Sequence, residues 1–102
     1  MDNIDERVAI KVMGWHERLV DHWGEPPAFW WCNERDIPVF KTVSWQPSKR
    51  IEQAWMIFEQ LEGDWQLNAV GGKYMLWQEK TLGPWADTVP MAICLAALEA
   101  KG

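Results

Sequence analysis

The sequence has few of the residues and segments that mark secreted, membrane-bound or metal-binding proteins. Its two cysteines, Cys32 and Cys94, lie far apart and outside any CxxC or metal-type spacing, so we expect both thiols to be reduced and buried. No apolar run reaches the roughly 18 residues that suggest a membrane span. The acidic residues 1–6 are unlike a secretion signal. We therefore expect a cytoplasmic protein that does not contact membranes.

Basic residues are also scarce. The 102 residues include 15 acidic and 10 basic side chains, for a formal net charge of −5. Nonspecific nucleic-acid binding needs a basic stripe that follows the phosphates, so the composition disfavours this function. No Pro/Gly/Ser-rich stretch is long enough to separate two cores. We expect a single domain over residues 1–102.

The motifs of an enzyme are missing as well. No serine or cysteine stands in a GxSxG or Cys/His signature. The pair Gly71-Gly72 is not followed by GK[ST] and opens no helix, so a hairpin turn explains it better than a phosphate loop. His16 and His22 lie in a charged segment without HExxH, and a solvated surface explains them better than metal ligation. The sequence therefore predicts no catalytic residues, no metal site and no cofactor.

Tryptophan, by contrast, is abundant. Nine of the 102 residues are tryptophan, and each side chain buries on the order of 150–250 Å². Chains of this length bury only a little over ~60% of their unfolded surface, so bulky side chains are needed to build a core. We expect most tryptophans to pack inside and two or three to remain at a surface that contacts a ligand or a partner.

Helical periodicity or capping signals appear in three segments. They run from an Asn3 cap to Gly14, from Pro47-Ser48 to Gly63, and from an Asp87-Thr88 cap through the apolar residues 91–98. Residues 15–27 follow the first helix and carry charges, a glycine and two prolines, which predicts a helical tail and then a loop. The last helix is apolar nearly all round, so we expect it to be buried on more than one side.

Two strands are predicted between the first two helices. Residues 28–32 are short and aromatic, and residues 37–44 alternate, with a turn at residues 33–36 between them. Because Pro38 has no N–H to donate, the second strand is expected to lie at an edge or to begin after the proline.

A hairpin is predicted around Gly71-Gly72, a two-residue loop suited to a primed turn. That turn fixes a register that runs from a Val70–Lys73 pair to a Gln66–Trp77 pair. One face is expected to be core and carries Trp65, Leu67, Ala69, Tyr74 and Leu76. The other face mixes apolar bulk with amides and carries Gln66, Asn68, Val70, Met75 and Trp77. The element order predicts an α+β fold, an α-β-α layered sandwich of three helices and a mainly antiparallel sheet of about four strands.

Three segments together resemble one known family. They are residues 11–15 (KVMGW), residues 44–55 (SWQPSKRIEQAW) and residues 92–98 (AICLAAL). In their order and spacing they resemble the phage ABA-sandwich domain of small Bacillus-type phage and prophage proteins. The resemblance covers almost the whole chain. It implies an α-β-α layered fold in a protein of the infected bacterial cell, and it implies no established activity.

A candidate anion site lies at the start of the middle helix. Ser48 is expected to be the N-cap and to leave the N–H groups that follow it free for an anion. Lys49 and Arg50 oppose the helix dipole there, so an acidic ligand would explain their placement. Trp45 would offer an aromatic plane to a nucleobase, although a core tryptophan and a surface salt-bridged with Glu52 are the plainer alternative. The candidate ligand-binding residues are Trp45, Ser48, Lys49, Arg50, Asn68 and Trp77.

Two functions are therefore weighed. The first is a noncatalytic phage protein that binds a small anionic ligand, possibly a nucleotide-type immune signal. The alternative is an adaptor or inhibitor that contacts a host protein through an exposed aromatic surface at Phe29, Trp30 and Trp31, because aromatic residues dominate interface hot spots. The same surface would also serve self-association, and we expect a homo-oligomer.

Overall fold

The computed structural model describes residues 3–21, 24–79 and 81–101. Its helices are α1 (Ile4–Lys11), α2 (Ile51–Phe58) and α3 (Val89–Lys101), and Thr42–Ser44 form a short 3₁₀ helix. Its strands are β1 (His16–Val20), β2 (Ala28–Cys32), β3 (Pro38–Lys41), β4 (Gln66–Val70), β5 (Lys73–Gln78) and β6 (Thr81–Leu82). The fold is elongated, with extents of 48, 25 and 24 Å.

The six strands form two antiparallel sheets. One has the order β1-β2-β3 and the other the order β4-β5-β6. The predicted α+β sandwich class is confirmed, but the prediction of one sheet with about four strands is wrong. The additional strands are β1 and β6, and β6 has only two residues, too few to show a period in the sequence.

Strand β1 lies where the sequence predicts a helical tail. Gly14 has a φ of +71°, a left-handed conformation that ends α1, and the Trp15 N–H donates to the Ala9 carbonyl at 2.9 Å. The chain then turns, and His16–Val20 pair with β2. Because four of the five β1 side chains are exposed and three are polar, the strand shows no hydrophobic alternation. His22 of the predicted tail lies outside the described residues.

Strands β2 and β3 largely follow the prediction. Strand β2 has the predicted bounds, and β3 begins at Pro38 on the edge of its sheet, as the missing N–H requires. The strand is shorter than predicted because the 3₁₀ helix replaces its last three residues. Asn33 closes the turn between β2 and β3, since its Oδ1 accepts N–H groups of Arg35 and Ile37 at 2.9 and 3.1 Å.

The β4–β5 hairpin has the predicted register at all five residue pairs. Gly71 and Gly72 have φ values of +58° and +78°, the positive angles of a primed turn. The predicted core face is confirmed for Leu76, which is buried. All five residues of β4 are exposed, so the half of that face on β4 is not core. Strand β4 is an edge strand, and the helices cover mainly β5.

The helical core connects both sheets. Helix α3 contacts α1, α2, β5 and β6, and it buries six of its residues, as its apolar composition predicts. Trp31 of β2 and Leu76 of β5 belong to the same buried cluster as residues of all three helices. Helix α2 begins at Ile51, with Arg50 at the N-cap position and no side-chain cap. The prediction that Ser48 caps this helix is therefore wrong.

Candidate functional site

A large groove lies between the start of α1, the first sheet and the turn that precedes α2. Its volume is about 750 Å³, and it is open to solvent. This size lies in the range of small-molecule sites, roughly 300–1,000 Å³. The groove is lined by Asn3, Ile4, Asp5, Glu6, Glu17, Trp31, Thr42, Val43, Trp45, Gln46, Ser48, Lys49 and Met91.

Asp5 joins the start of α1 to the segment before α2. Its Oδ1 accepts the Ser48 N–H at 2.8 Å, and its backbone carbonyl accepts the Trp45 Nε1–H at 3.0 Å. The carboxylate is buried, and Asn3 caps the helix just before it by accepting the Asp5 N–H at 2.9 Å. The anion that the Ser48 amide binds is therefore a carboxylate of the chain itself.

The next two backbone amides, those of Lys49 and Arg50, are also hydrogen-bonded within the chain. The Lys49 and Arg50 N–H groups both donate to the Gln46 carbonyl, at 3.0 and 2.9 Å. The side chain of Gln53 supports this turn, because its Oε1 accepts the Gln46 N–H and its Nε2 donates to the Ser44 carbonyl. The prediction that Lys49 and Arg50 present free amide hydrogens to a ligand is therefore wrong, because both N–H groups are hydrogen-bonded within the turn.

Trp45 is a core residue. Its side chain is 2% exposed and packs edge-on against Trp15, with ring centroids 4.7 Å apart. Phe40 lies at 5.1 Å from the same indole. With aromatic neighbours on these sides and its N–H bonded to Asp5, the indole has no open face on which a nucleobase can stack.

The six residues predicted to bind a ligand do not form one site. Trp45, Ser48 and Lys49 line the groove, whereas the other three lie outside its lining. The Arg50 guanidinium lies 3.8 Å from the Glu52 carboxylate, and both side chains are exposed. Asn68 and Trp77 belong to the second sheet, on the face opposite Leu76. Strand pairing therefore separates Asn68 and Trp77 from the groove.

The charge of the groove opposes an anionic ligand. Among the residues that the structure describes, the lining includes the carboxylates of Asp5, Glu6 and Glu17 and one cationic side chain, Lys49. A concave surface lined mainly by one sign of charge concentrates ligands of the opposite sign. The electrostatics therefore favour a basic group at this position over a phosphate.

The two predicted partner-binding tryptophans are less accessible than expected. Trp31 is 4% exposed and contributes only a margin to the groove. Trp30 is half-buried, and the Lys41 Nζ lies 5.8 Å from its ring centroid. The prediction of an exposed Trp30–Trp31 pair is wrong because Trp31 points toward the core.

An apolar rim lies beside the groove instead. We define the apolar rim as Leu19, Phe29 and Val43, which are 54%, 52% and 78% exposed. Leu19 and Phe29 are direct cross-strand partners on β1 and β2. The next pair on the same face is Glu17 with Trp31, and both of these residues line the groove. Apolar rim and acidic groove therefore form one continuous surface.

The family follows from a comparison with known proteins. The model of the phage ABA sandwich domain matches residues 6–98. The chain belongs to this family. The ABA sandwich domain is also similar to the 2.0 Å crystal structure of a phage protein from Bacillus cereus ATCC 14579, with a TM-score of 0.60, 22% identity, and coverage of 95% of this chain and 87% of that chain. At this identity the likeness shows the fold alone. No curated protein matches the chain.

Within the described part of this ABA sandwich domain, no helix has the length and apolar character needed to cross a membrane. The sequence missed two residues of this surface, Asp5 and Leu19. Phe29 belongs to the aromatic run that the sequence places at an exposed surface together with Trp30 and Trp31, and it is 52% exposed. Leu19 carried no such signal once its segment was interpreted as a helical tail.

Proposed function

We propose that this ABA sandwich domain is a noncatalytic phage protein that binds a protein partner through the apolar rim and the adjoining acidic groove. The observation that carries the proposal is the Leu19–Phe29 pair, two large apolar side chains that meet across strands and are each more than half exposed. Exposed apolar patches beside polar margins mark protein interaction sites. The partner is expected to offer an apolar segment flanked by lysine or arginine.

Covering the exposed parts of Leu19 and Phe29 would contribute modestly to the free energy of binding. Full burial of a leucine or phenylalanine side chain contributes about 1.5–3 kcal/mol. About half of Leu19 and of Phe29 is already covered, so covering the rest of both contributes about 1.5–3 kcal/mol in total. Glu6 and Glu17 in the groove would add steering of a basic partner, which depends on ionic strength.

The charge also bears on self-association. A second copy would bring another chain of net charge −5 and another acidic groove to the same contact. A basic partner pairs with these carboxylates, whereas a second copy repels them. The homo-oligomer predicted from the sequence stays a prediction, and size-exclusion chromatography with light scattering measures it directly.

A pull-down from host lysate tests the proposal. The wild-type protein is expected to retain one protein at near-stoichiometric yield, and Phe29→Ser is expected to reduce the yield about three- to tenfold, since Phe29 supplies about half of the contribution of the Leu19–Phe29 pair and 1.4 kcal/mol corresponds to a factor of ten. Val70→Ser is the matched control, because Val70 is 66% exposed on the other sheet. Equal recovery of the same proteins by Phe29→Ser and Val70→Ser would contradict the proposal.

A small anionic ligand is the second candidate function. One observation favours it, namely that Lys49 lies in a groove of suitable volume next to Ser48 and Trp45. Calorimetry with a panel of linear and cyclic nucleotides, on wild type and on Lys49→Ala/Arg50→Ala, tests this candidate. Because the groove lining is mainly acidic, we expect no measurable heat from the panel. Binding that the double variant abolishes would support the anion hypothesis instead.

A further inference from the structure

Three possible metal ligands meet at the end of the first sheet, away from the groove lining. His16 begins β1 and pairs directly with Cys32, the last residue of β2. Asp36 lies in the turn after β2, and its Oδ1 is 2.7 Å from the His16 Nε2. A nitrogen of His16, the Cys32 Sγ and an oxygen of Asp36 all lie within 4.8 Å of one another. Strand pairing and the turn thus bring together residues that are distant in sequence.

We infer that His16, Cys32 and Asp36 bind one divalent zinc ion. Imidazole nitrogen, thiolate sulfur and carboxylate oxygen are the three kinds of ligand that Zn²⁺ takes, at about 2.0–2.3 Å. In a tetrahedron these bond lengths place the ligand atoms about 3.3–3.7 Å from one another, so the His16 Nε2 and the Asp36 Oδ1, which are 2.7 Å apart, have to separate when an ion binds. The fourth position is left for water.

The cluster is held in place on two sides. Asp36 has a φ of +62°, and its N–H donates to the Asn33 carbonyl at 2.9 Å. The Arg18 guanidinium pairs with the second carboxylate oxygen, Oδ2, which leaves Oδ1 directed toward His16. Partners that orient a ligand in this way are a usual part of metal sites.

Charge and solvent access fit a divalent ion. The thiolate of Cys32 and the carboxylate of Asp36 together neutralise Zn²⁺, and binding releases the thiol proton to solvent. His16 and Asp36 are each about half exposed, so an ion enters from their side while Cys32 forms the buried floor. The His16 ring, being exposed, is able to rotate from its contact with Asp36 to make room for the ion.

The alternative is a structural contact in which Asp36 simply pairs with His16 and Arg18. That contact involves no thiolate, so a bond between the Cys32 sulfur and a metal ion distinguishes the zinc site from the structural contact. Cys94 provides a matched control. It is also a buried free cysteine, but it lies on α3, and burial together with the nearby Asp5 carboxylate raises the pKa of its thiol to about 12. Cys94 is not part of the His16–Cys32–Asp36 cluster, and the raised pKa disfavours the thiolate form that a metal ion needs.

Titration of the full chain with Co²⁺, a spectroscopic substitute for Zn²⁺, tests the site. We expect a thiolate-to-cobalt charge-transfer band that saturates at one equivalent, disappears in Cys32→Ser and persists in Cys94→Ala. His16→Gln changes an exposed side chain, so it should fold even if Cys32→Ser does not. It is expected to weaken Co²⁺ binding at least as much as the about 10- to 100-fold caused by loss of a ligand's own hydrogen-bond partner.

Three results would overturn the inference. They are the absence of a thiolate band at saturating Co²⁺, a band that survives in folded Cys32→Ser, and an affinity that His16→Gln leaves unchanged. The first would leave Asp36 as a structural contact only. None of these results depends on the partner proposed above, because the groove and the apolar rim share no residue with the cluster.

Discussion

Trp45→Ala is expected to lower the free energy of unfolding by about 3–5 kcal/mol, the usual cost of removing a buried aromatic side chain. The indole is 2% exposed and contacts Trp15 and Phe40. It also donates its N–H to the Asp5 carbonyl. The substitution therefore leaves a cavity and removes a hydrogen bond that connects α1 to the segment before α2. Urea denaturation followed by circular dichroism measures the loss.

Two variants give the Trp45 result its meaning. Trp45→Phe keeps an aromatic ring but removes the N–H donor, so it should cost clearly less than Trp45→Ala. Trp55→Ala changes an indole that is 48% exposed on α2, and it should be far milder. A Trp45→Ala protein nearly as stable as wild type would show that the indole is free to serve a ligand, contrary to its assigned role in the core.

Asp5→Ala is expected to lower the free energy of unfolding by about 1–3 kcal/mol, the cost of leaving a buried donor without its acceptor. The donor is the Ser48 N–H, which the Asp5 carboxylate accepts at 2.8 Å. The aspartate also lies in the first turn of α1, where negative charge is favourable. At about 4–8 °C per kcal/mol for a domain of this size, the melting temperature should fall measurably.

The controls for Asp5 separate the hydrogen bond from the charge. Asp5→Asn keeps an oxygen acceptor for Ser48 and should recover much of the loss. Glu6→Ala removes an exposed carboxylate from the same turn and should change stability by less than about 0.5 kcal/mol. If Asp5→Ala and Glu6→Ala have equal effects, Asp5 acts only through charge and its contact with Ser48 contributes little.

Local chemistry made parts of this fold predictable. The β4–β5 register follows from two glycines in a two-residue turn, since positive φ at both positions selects the primed turn that sets every pair. Strand β2 follows from a short aromatic run between turn formers. Strand β1 was missed because four of its five side chains are exposed and three are polar, so the segment shows no hydrophobic alternation.

The functional surface was less predictable because long-range contacts decide it. The sequence predicts that an external anion binds beside Ser48. The carboxylate of Asp5, 43 residues earlier in the chain, already accepts the Ser48 N–H there. Nothing in the types of these two residues indicates that they lie close together in the fold. Likewise, Leu19 meets Phe29 only through the β1–β2 pairing. The sequence did identify one segment of the groove, because Trp45, Ser48 and Lys49 all line it.

The structure separates two kinds of binding that the sequence could not distinguish. Anion capture depends on Lys49, a cationic side chain in the groove lining. Protein binding depends on Phe29, which lies outside that lining but on the same face of the sheet. Each hypothesis therefore has one exposed side chain that the other does not need.

The most direct test is one pull-down from host lysate with wild type, Phe29→Ser and Lys49→Ala compared at equal protein load. The account predicts a near-stoichiometric partner that wild type and Lys49→Ala retain and whose yield Phe29→Ser reduces. A partner kept by Phe29→Ser and lost by Lys49→Ala, or no retained partner at all, would contradict it.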